Sequence, residues 1–347
     1  MDTSITAEAH RIWLEQHDEE ALEPGLPVID AHHHLWLGYG KPVPWQPDYW
    51  QQEFAEDLTA GHNIIATVYV ECGYSYHVDA PQVLKPVGET ETINRYAEQF
   101  SAHTGLDCRV CAAIVGFADL RLGARVEETL VAHLGAAPGR FRGIRQISNW
   151  DASAEVRYPG FEMREGLLLD ATFQEGFATL SKFGLSFDAW LFHPQIREIA
   201  VLARRFPDTT LIVDHFGGPV GVGPYAGRRR HILEQWKRDV ADLARLPNIV
   251  MKLGGISMEH AGFHWHERQR PPSSDELVAA TQDYFLHAID CFGPNRCMFE
   301  SNFPVDKVSC SYRILWNTLK KLSRRFSPAE RDALFRGTAS EVYRIRL

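Results

Sequence analysis

Short, uniformly apolar runs recur along this 347-residue chain, each followed by a longer amphipathic stretch, and this alternation restricts its fold more than any other feature. The runs are VIDA from Val28, IIATVYVE from Ile64, RVCAAIVG from Arg109, FRGIRQIS from Phe141, LSFDAWLF from Leu185, TLIVDH from Thr210, NIVMKLGG from Asn248 and RCMFES from Arg296. Helix-like segments lie between them, among them Glu89–Ala102, Thr172–Phe183, Pro194–Phe206 and Ser274–Phe292, and Pro194, Pro207, Pro247 and Gly293-Pro294 punctuate the joins. Strands that are apolar throughout, alternating with helices, imply βαβ units and a parallel sheet. Eight such units over about 320 residues predict a closed (β/α)8 TIM-like barrel of the α/β class. An open doubly wound sheet would want a glycine-rich phosphate turn after the first strand; here three histidines stand there instead. Residues 1–26 read as an N-terminal helical extension, helical from Ala7 to Leu22 and stopped by Pro24 and Gly25, with the catalytic barrel over 27–347.

Composition narrows the partners. The formal net charge is -9 with no basic stripe, which argues against nucleic acid. No run reaches the ~18 apolar residues a membrane span needs. Six cysteines in a chain of this size do not make a disulfide framework. Cys108 and Cys111 form a CxxC string, but on a strand residues three apart face opposite sides, so they read as small buried hydrophobes. With no basic-then-apolar leader pattern at the N-terminus, the expected setting is cytoplasmic and reducing. The expected partner is a small-molecule substrate, and homo-oligomer formation is left open.

The chemistry begins at Asp30-Ala31-His32-His33-His34. His32 and His34 share one face of a strand and His33 takes the other. Two imidazoles on one face at a barrel strand end can grip one cation or bracket one substrate atom. His193 ends the fifth strand and His215 the sixth, where barrel enzymes place catalytic groups. Histidines at three strand ends of one barrel predict convergence on one site. The long loops Leu37–Trp50 and Glu259–Ser274 crown the same face with aromatic residues, and Trp36 and His77 fall where they could touch substrate.

D-x-H-x-H at strand one, histidines after strands five and six, and the string Glu300-Ser301-Asn302-Phe303-Pro304 at strand eight together resemble the amidohydrolase superfamily. VIDAHHHLW, FRGIRQ, DHFGGP, NIVMKLGG and MFESNFP are similar to its amidohydrolase-2 branch, with 2-pyrone-4,6-dicarboxylate lactonase and sugar lactonases, from Val28 to about Phe303. The resemblance implies a divalent metal, zinc first, held by His32, His34 and His193, although some relatives in this branch work without metal. It also implies a strand-eight aspartate as ligand and base. This chain has Asn302 there, and an amide neither accepts a proton at neutral pH nor ligates a metal as a carboxylate does. The water-activating role then passes to Asp306, with Glu300, Glu71 and His215 as further candidates. Cationic donors for an oxyanion are Lys252, a charge inside an apolar run, and Arg145, with a Lys252–Glu71 salt bridge as the bland alternative. The expected reaction is opening of a small carboxylated, sugar or aromatic-derived lactone. Decarboxylation of an aromatic or unsaturated acid and a non-catalytic binding barrel are the alternatives.

Overall fold

The computed structural model describes residues 6–38, 45–157 and 163–346. Eight parallel strands follow one another in chain order around a barrel: β1 (Pro27–His33), β2 (Asn63–Val70), β3 (Arg109–Gly116), β4 (Phe141–Arg145), β5 (Ser186–Ala189), β6 (Leu211–Val213), β7 (Ile249–Leu253) and β8 (Cys297–Phe299). The ring closes just beyond β8, where Asn302 N donates to His32 O and His34 N donates to Phe303 O, both at 2.8 Å. Closure therefore fixes the two ends of the future site against each other.

Helices α1 (Ala7–Leu14), α2 (Gln51–Leu58), α3 (Val87–Thr104), α4 (Glu127–Ala136), α5 (Ala171–Ala178), α6 (Ile196–Arg205), α7 (Arg229–Leu243), α8 (Ser274–Phe292), α9 (Tyr312–Leu322), α10 (Pro328–Asp332) and α11 (Thr338–Val342) surround it. The helix α8 starts and ends as the sequence predicts, because Ser273 and Glu276 form a capping box and Gly293 stops it. The expected Ala7–Leu22 helix ends early at Leu14. Glu19 is recruited instead to bind Ser274 N, Ser274 Oγ and Asn317 Nδ2, a tertiary use that pulls its segment out of helical register. The barrel interior holds Ile29, Ala31, Val68, Ala113, Ile212 and Met298, and the chain end inserts Tyr343 and Ile345 among them. Among the described residues no helix is long and apolar enough to cross a membrane. All six cysteines are free, and Cys108 and Cys111 are buried.

Candidate active site

A layer of charged and imidazole side chains caps this apolar interior. Lys252, from β7, is fully buried. Its ammonium lies 2.7 Å from Asp188 Oδ2, 3.3 Å from Asp214 Oδ1 and 3.1 Å from His32 Nδ1. Burial alone would discharge it, but Asp188, Asp214 and Glu300 outweigh burial and raise its pKa. Arg145, from the end of β4, donates through Nε to Glu71 Oε1 at 2.8 Å and through Nη2 to Glu71 O. Burial opposes its charge too, and Glu71 and Asp214 overcome this. Four carboxylates (Glu71, Asp188, Asp214, Glu300) thus face two cations, leaving a formal excess of two negative charges with almost no solvent contact. Both Asp214 oxygens, Asp188 Oδ1 and Glu300 Oε2 lack a hydrogen-bond donor. Burial pushes the Glu300 carboxyl well above its usual range; Lys252 opposes this and Asp214 adds to it.

The imidazoles sit against this layer. His34 Nδ1 donates to Val70 O at 2.8 Å, leaving Nε2 as a lone pair 3.2 Å from His32 Nε2. His215 Nδ1 is 2.7 Å from Glu300 Oε1, and His32 Nδ1 is 3.1 Å from Glu300 Oε2. The His32 ring is 4.6 Å from that of His215 and 4.8 Å from that of His34. Burial, reinforced by neighbouring cations, holds His32 and His34 far below their usual pKa, and burial holds His215 at about 3. All three are neutral at physiological pH, the form that binds metals and accepts protons. His215 (φ 54°) and Asn302 (φ 55°) adopt the left-handed backbone region unusual for non-glycine residues, as strained functional positions often do. The loop after β7 can pass only as glycine: a Cβ on Gly255 would stand 2.3 Å from His215 Nδ1, and one on Gly254 2.3 Å from Glu300 Cγ.

Above lies a cavity of about 360 Å3, to which segments after every strand contribute. His34, Trp36, Glu71, Arg145, His215 and Asn302 line it, so six of the residues singled out from sequence do meet. His32 lies fully buried beside His34. Glu71 is the one carboxylate among the described lining residues.

Other expectations need correcting. His193 does not join the cluster: its Nδ1 accepts from Val220 N and its ring meets Tyr225. Among the described residues, the group of potential ligands within 4.8 Å of one another is His32, Asp214 and His215. Asp306 is not at the cavity; it accepts from Asn302 Nδ2 and Ser257 N, and burial raises it to about 8. Lys252 turns into the barrel and pairs with Asp188 and Asp214 rather than Glu71. His77 pairs with Glu91 at 3.2 Å, half exposed, while its neighbour Tyr76 lines the cavity. Residues 39–44 of the Leu37–Trp50 crown lie outside the described residues. The segment after β4 is a larger contributor than the Glu259–Ser274 loop, supplying Gln146, Ile147, Asn149, Met163, Arg164 and Leu167.

Sequence reasoning missed Asp188 and Asp214. The signal was present, since each is an acid within or ending an apolar run, and the rule that flags Lys252 as needing a buried partner flags them as well.

The second bond of each imidazole tests the site for a cation. Metal-binding histidines characteristically donate their other nitrogen to a carbonyl or carboxylate, and here Val70 O receives that bond from His34 and Glu300 Oε1 from His215, while His32 Nδ1 faces the Lys252 ammonium. Two nitrogens bound to one tetrahedral zinc at about 2.0–2.1 Å stand roughly 3.3 Å apart, close to the His32–His34 spacing of 3.2 Å. With Asp188 and Asp214 together exceeding the charge of the Lys252 they share, these residues fit a divalent cation.

A family model described as amidohydrolase matches residues 29–345. A relative from Sinorhizobium fredii, an uncharacterized protein, is 31% identical, covering 92% of this chain and 99% of its own. The L-fucono-1,5-lactonase of Burkholderia multivorans is 27% identical over 91% of this chain and 95% of its own. A crystal structure of an amidohydrolase from Burkholderia multivorans with bound zinc superposes with a TM-score of 0.69 at 25% identity, covering 92% of this chain and 100% of that one.

Proposed function

The chain belongs to the amidohydrolase family, and on that premise we propose that it opens the ring ester of a small lactone with water. The observation that carries this reading is the cluster of three neutral imidazoles, with Nδ1 of His34 and of His215 already engaged by Val70 O and Glu300, next to a cavity where Glu71 is the one carboxylate among the described lining residues. His32, His34, Asp214 and His215 would hold a divalent cation, with zinc the first choice given nitrogen-rich ligation. When bound, such an ion polarises a carbonyl and acidifies a water.

The chain's own residues handle the rest. Glu71, fixed by two bonds from Arg145, takes a proton from water as the oxygen attacks the ring carbonyl. As Glu71 loses its charge, negative charge appears on the carbonyl oxygen, so Arg145 remains compensated throughout. Collapse breaks the ring C–O bond, and Glu71 returns the proton to the departing ring oxygen. Glu300 fixes the tautomer of His215, and Asp306 fixes the Asn302 amide at the cavity wall.

The test is proton release on a panel of carboxylated, sugar and aromatic lactones, with and without zinc or manganese. Turnover is expected, with kcat lowered about 100-fold or more in Glu71→Gln, the usual scale for a lost proton acceptor. Silence on every lactone, or carbon dioxide release from aromatic carboxylates instead, would overturn the reading.

A further inference from the structure

One wall of the cavity carries a buried donor that the hydrolytic chemistry leaves unused. Asn149 lines the cavity, is 4% exposed, and its Nδ2 has no hydrogen-bond partner. An orphaned buried amide donor costs about 1–3 kcal/mol, so a protein keeps one only where something else meets it. The amide cannot easily swing to solvent, because the chain on both sides is pinned. Gln146 is held by Leu120 N and Asp119, Ser148 N and Oγ both donate to Trp190 O, and Trp150 N donates to Gln195 Oε1. Two further donors border the same cavity, Arg121 and Arg164, each with one acidic partner, Asp119 and Asp170. The rest of this wall is apolar, with Phe117, Met163 and Trp190.

We propose that Asn149 is a specificity-determining residue that binds a carboxylate on the substrate, so that the lactone taken has a flat apolar body bearing that one anionic group. This rests on the lactone-hydrolase reading. A buried unmet donor in a cavity lined also by Phe117, Met163 and Trp190 suits an oxygen that only accepts, on a body that asks for few further hydrogen bonds. A polyhydroxylated sugar lactone would place hydroxyls against Phe117, Met163 and Trp190 and leave them unpaired.

The experiment compares 2-coumaranone-5-carboxylate, its methyl ester and glucono-1,5-lactone on the wild type, Asn149→Leu and Asn149→Asp. One hydrogen bond to a charged group corresponds to roughly 10- to 100-fold. The wild type is expected to prefer the carboxylate over its ester by about 10-fold or more in kcat/KM. Asn149→Leu should raise KM for the carboxylate about 10-fold or more with kcat within about 2-fold, and leave the ester unchanged. Asn149→Asp should lose more on the carboxylate, through like-charge repulsion, and again spare the ester. Equal handling of acid and ester, preference for gluconolactone, or variants that shift both coumaranones alike would overturn the proposal. Failure to hydrolyse any of the three would fall on the hydrolase reading instead. The subsite is then read by calorimetry with the ring-opened acid and ester: selective binding of the acid that Asn149→Leu abolishes upholds it, and absence of selectivity sinks it.

Discussion

Replacing Glu300 by glutamine changes one atom in the charged layer and should uncouple the His215 imidazole from its acceptor. Its Oε1 lies 2.7 Å from His215 Nδ1 and its Oε2 3.1 Å from His32 Nδ1. The carboxylate accepts from His215; an amide that turns its NH2 toward this ring instead makes His215 present its protonated nitrogen to the cation site. Removing the group that orients a metal-binding histidine typically costs 10- to 100-fold in metal affinity or activity. Because Glu300 orients His215, Glu300→Gln should lower kcat/KM by about 10- to 100-fold and weaken zinc binding. The fold should not suffer, because glutamine keeps the shape of the side chain and burial already disfavours the charged form of Glu300. The assays are steady-state hydrolysis of the best lactone, zinc titration by calorimetry, and thermal denaturation of both proteins. Activity within about 3-fold of wild type, with the fold intact, would refute the tautomer argument.

Gly255→Ala should cut activity about 100-fold while costing about 1–3 kcal/mol of stability, since φ is +66° there and the new Cβ would stand 2.3 Å from His215 Nδ1; full activity would contradict it. His193→Ala should keep its zinc stoichiometry and lose only about 1–3 kcal/mol, because its Nδ1 serves Val220 N; a metal-free variant would restore His193 as a ligand. His133 is neutral in the fold, receiving from Thr90 and donating to Phe117 O, with burial lowering its pKa from 6.5 to about 4. The unfolded chain therefore binds the extra proton first, and stability falls as pH drops from 6.5 toward 4, by about 2–3 kcal/mol from this residue. Denaturant titrations across that window should show a shallower decline for His133→Gln, and parallel curves would reject the assignment.

The barrel was legible because its signal is periodic and local: each apolar run from Val28 to Arg296 overlaps a strand, with ends that differ by up to three residues. The positions of His32, His34 and His215 followed from those strand ends. His193 did not, because the chain turns into a 3-10 segment at that residue and carries the ring toward Tyr225, a loop geometry that strand-end counting cannot foresee. Arg145, chosen over Arg142 because it stands nearer the C-terminal strand end, lines the cavity, while Arg142 reaches the backbone of the inserted chain end at Tyr343 O. That Asp188 and Asp214 are buried acids in want of a partner was legible, but their pairing with Lys252 depends on the strand order that brings the ends of β5 and β6 beside β7. Tyr343, whose hydroxyl donates to Asp188 Oδ2 at 2.8 Å, belongs to a C-terminal segment that no periodicity marks as interior. The length of the α1 extension was likewise decided by Glu19 and Ser274, a tertiary interaction.

Zinc titrated into chelator-stripped protein, followed alongside lactone hydrolysis in the wild type and in the His32→Ala, His34→Ala double variant, tests the site most directly. The wild type should bind one ion per chain with little proton release, because the imidazoles are already neutral, and regain hydrolysis in step with binding. The double variant should do neither. Full hydrolysis by stripped wild-type protein, or unchanged zinc uptake by the double variant, would contradict the assignment of those imidazoles.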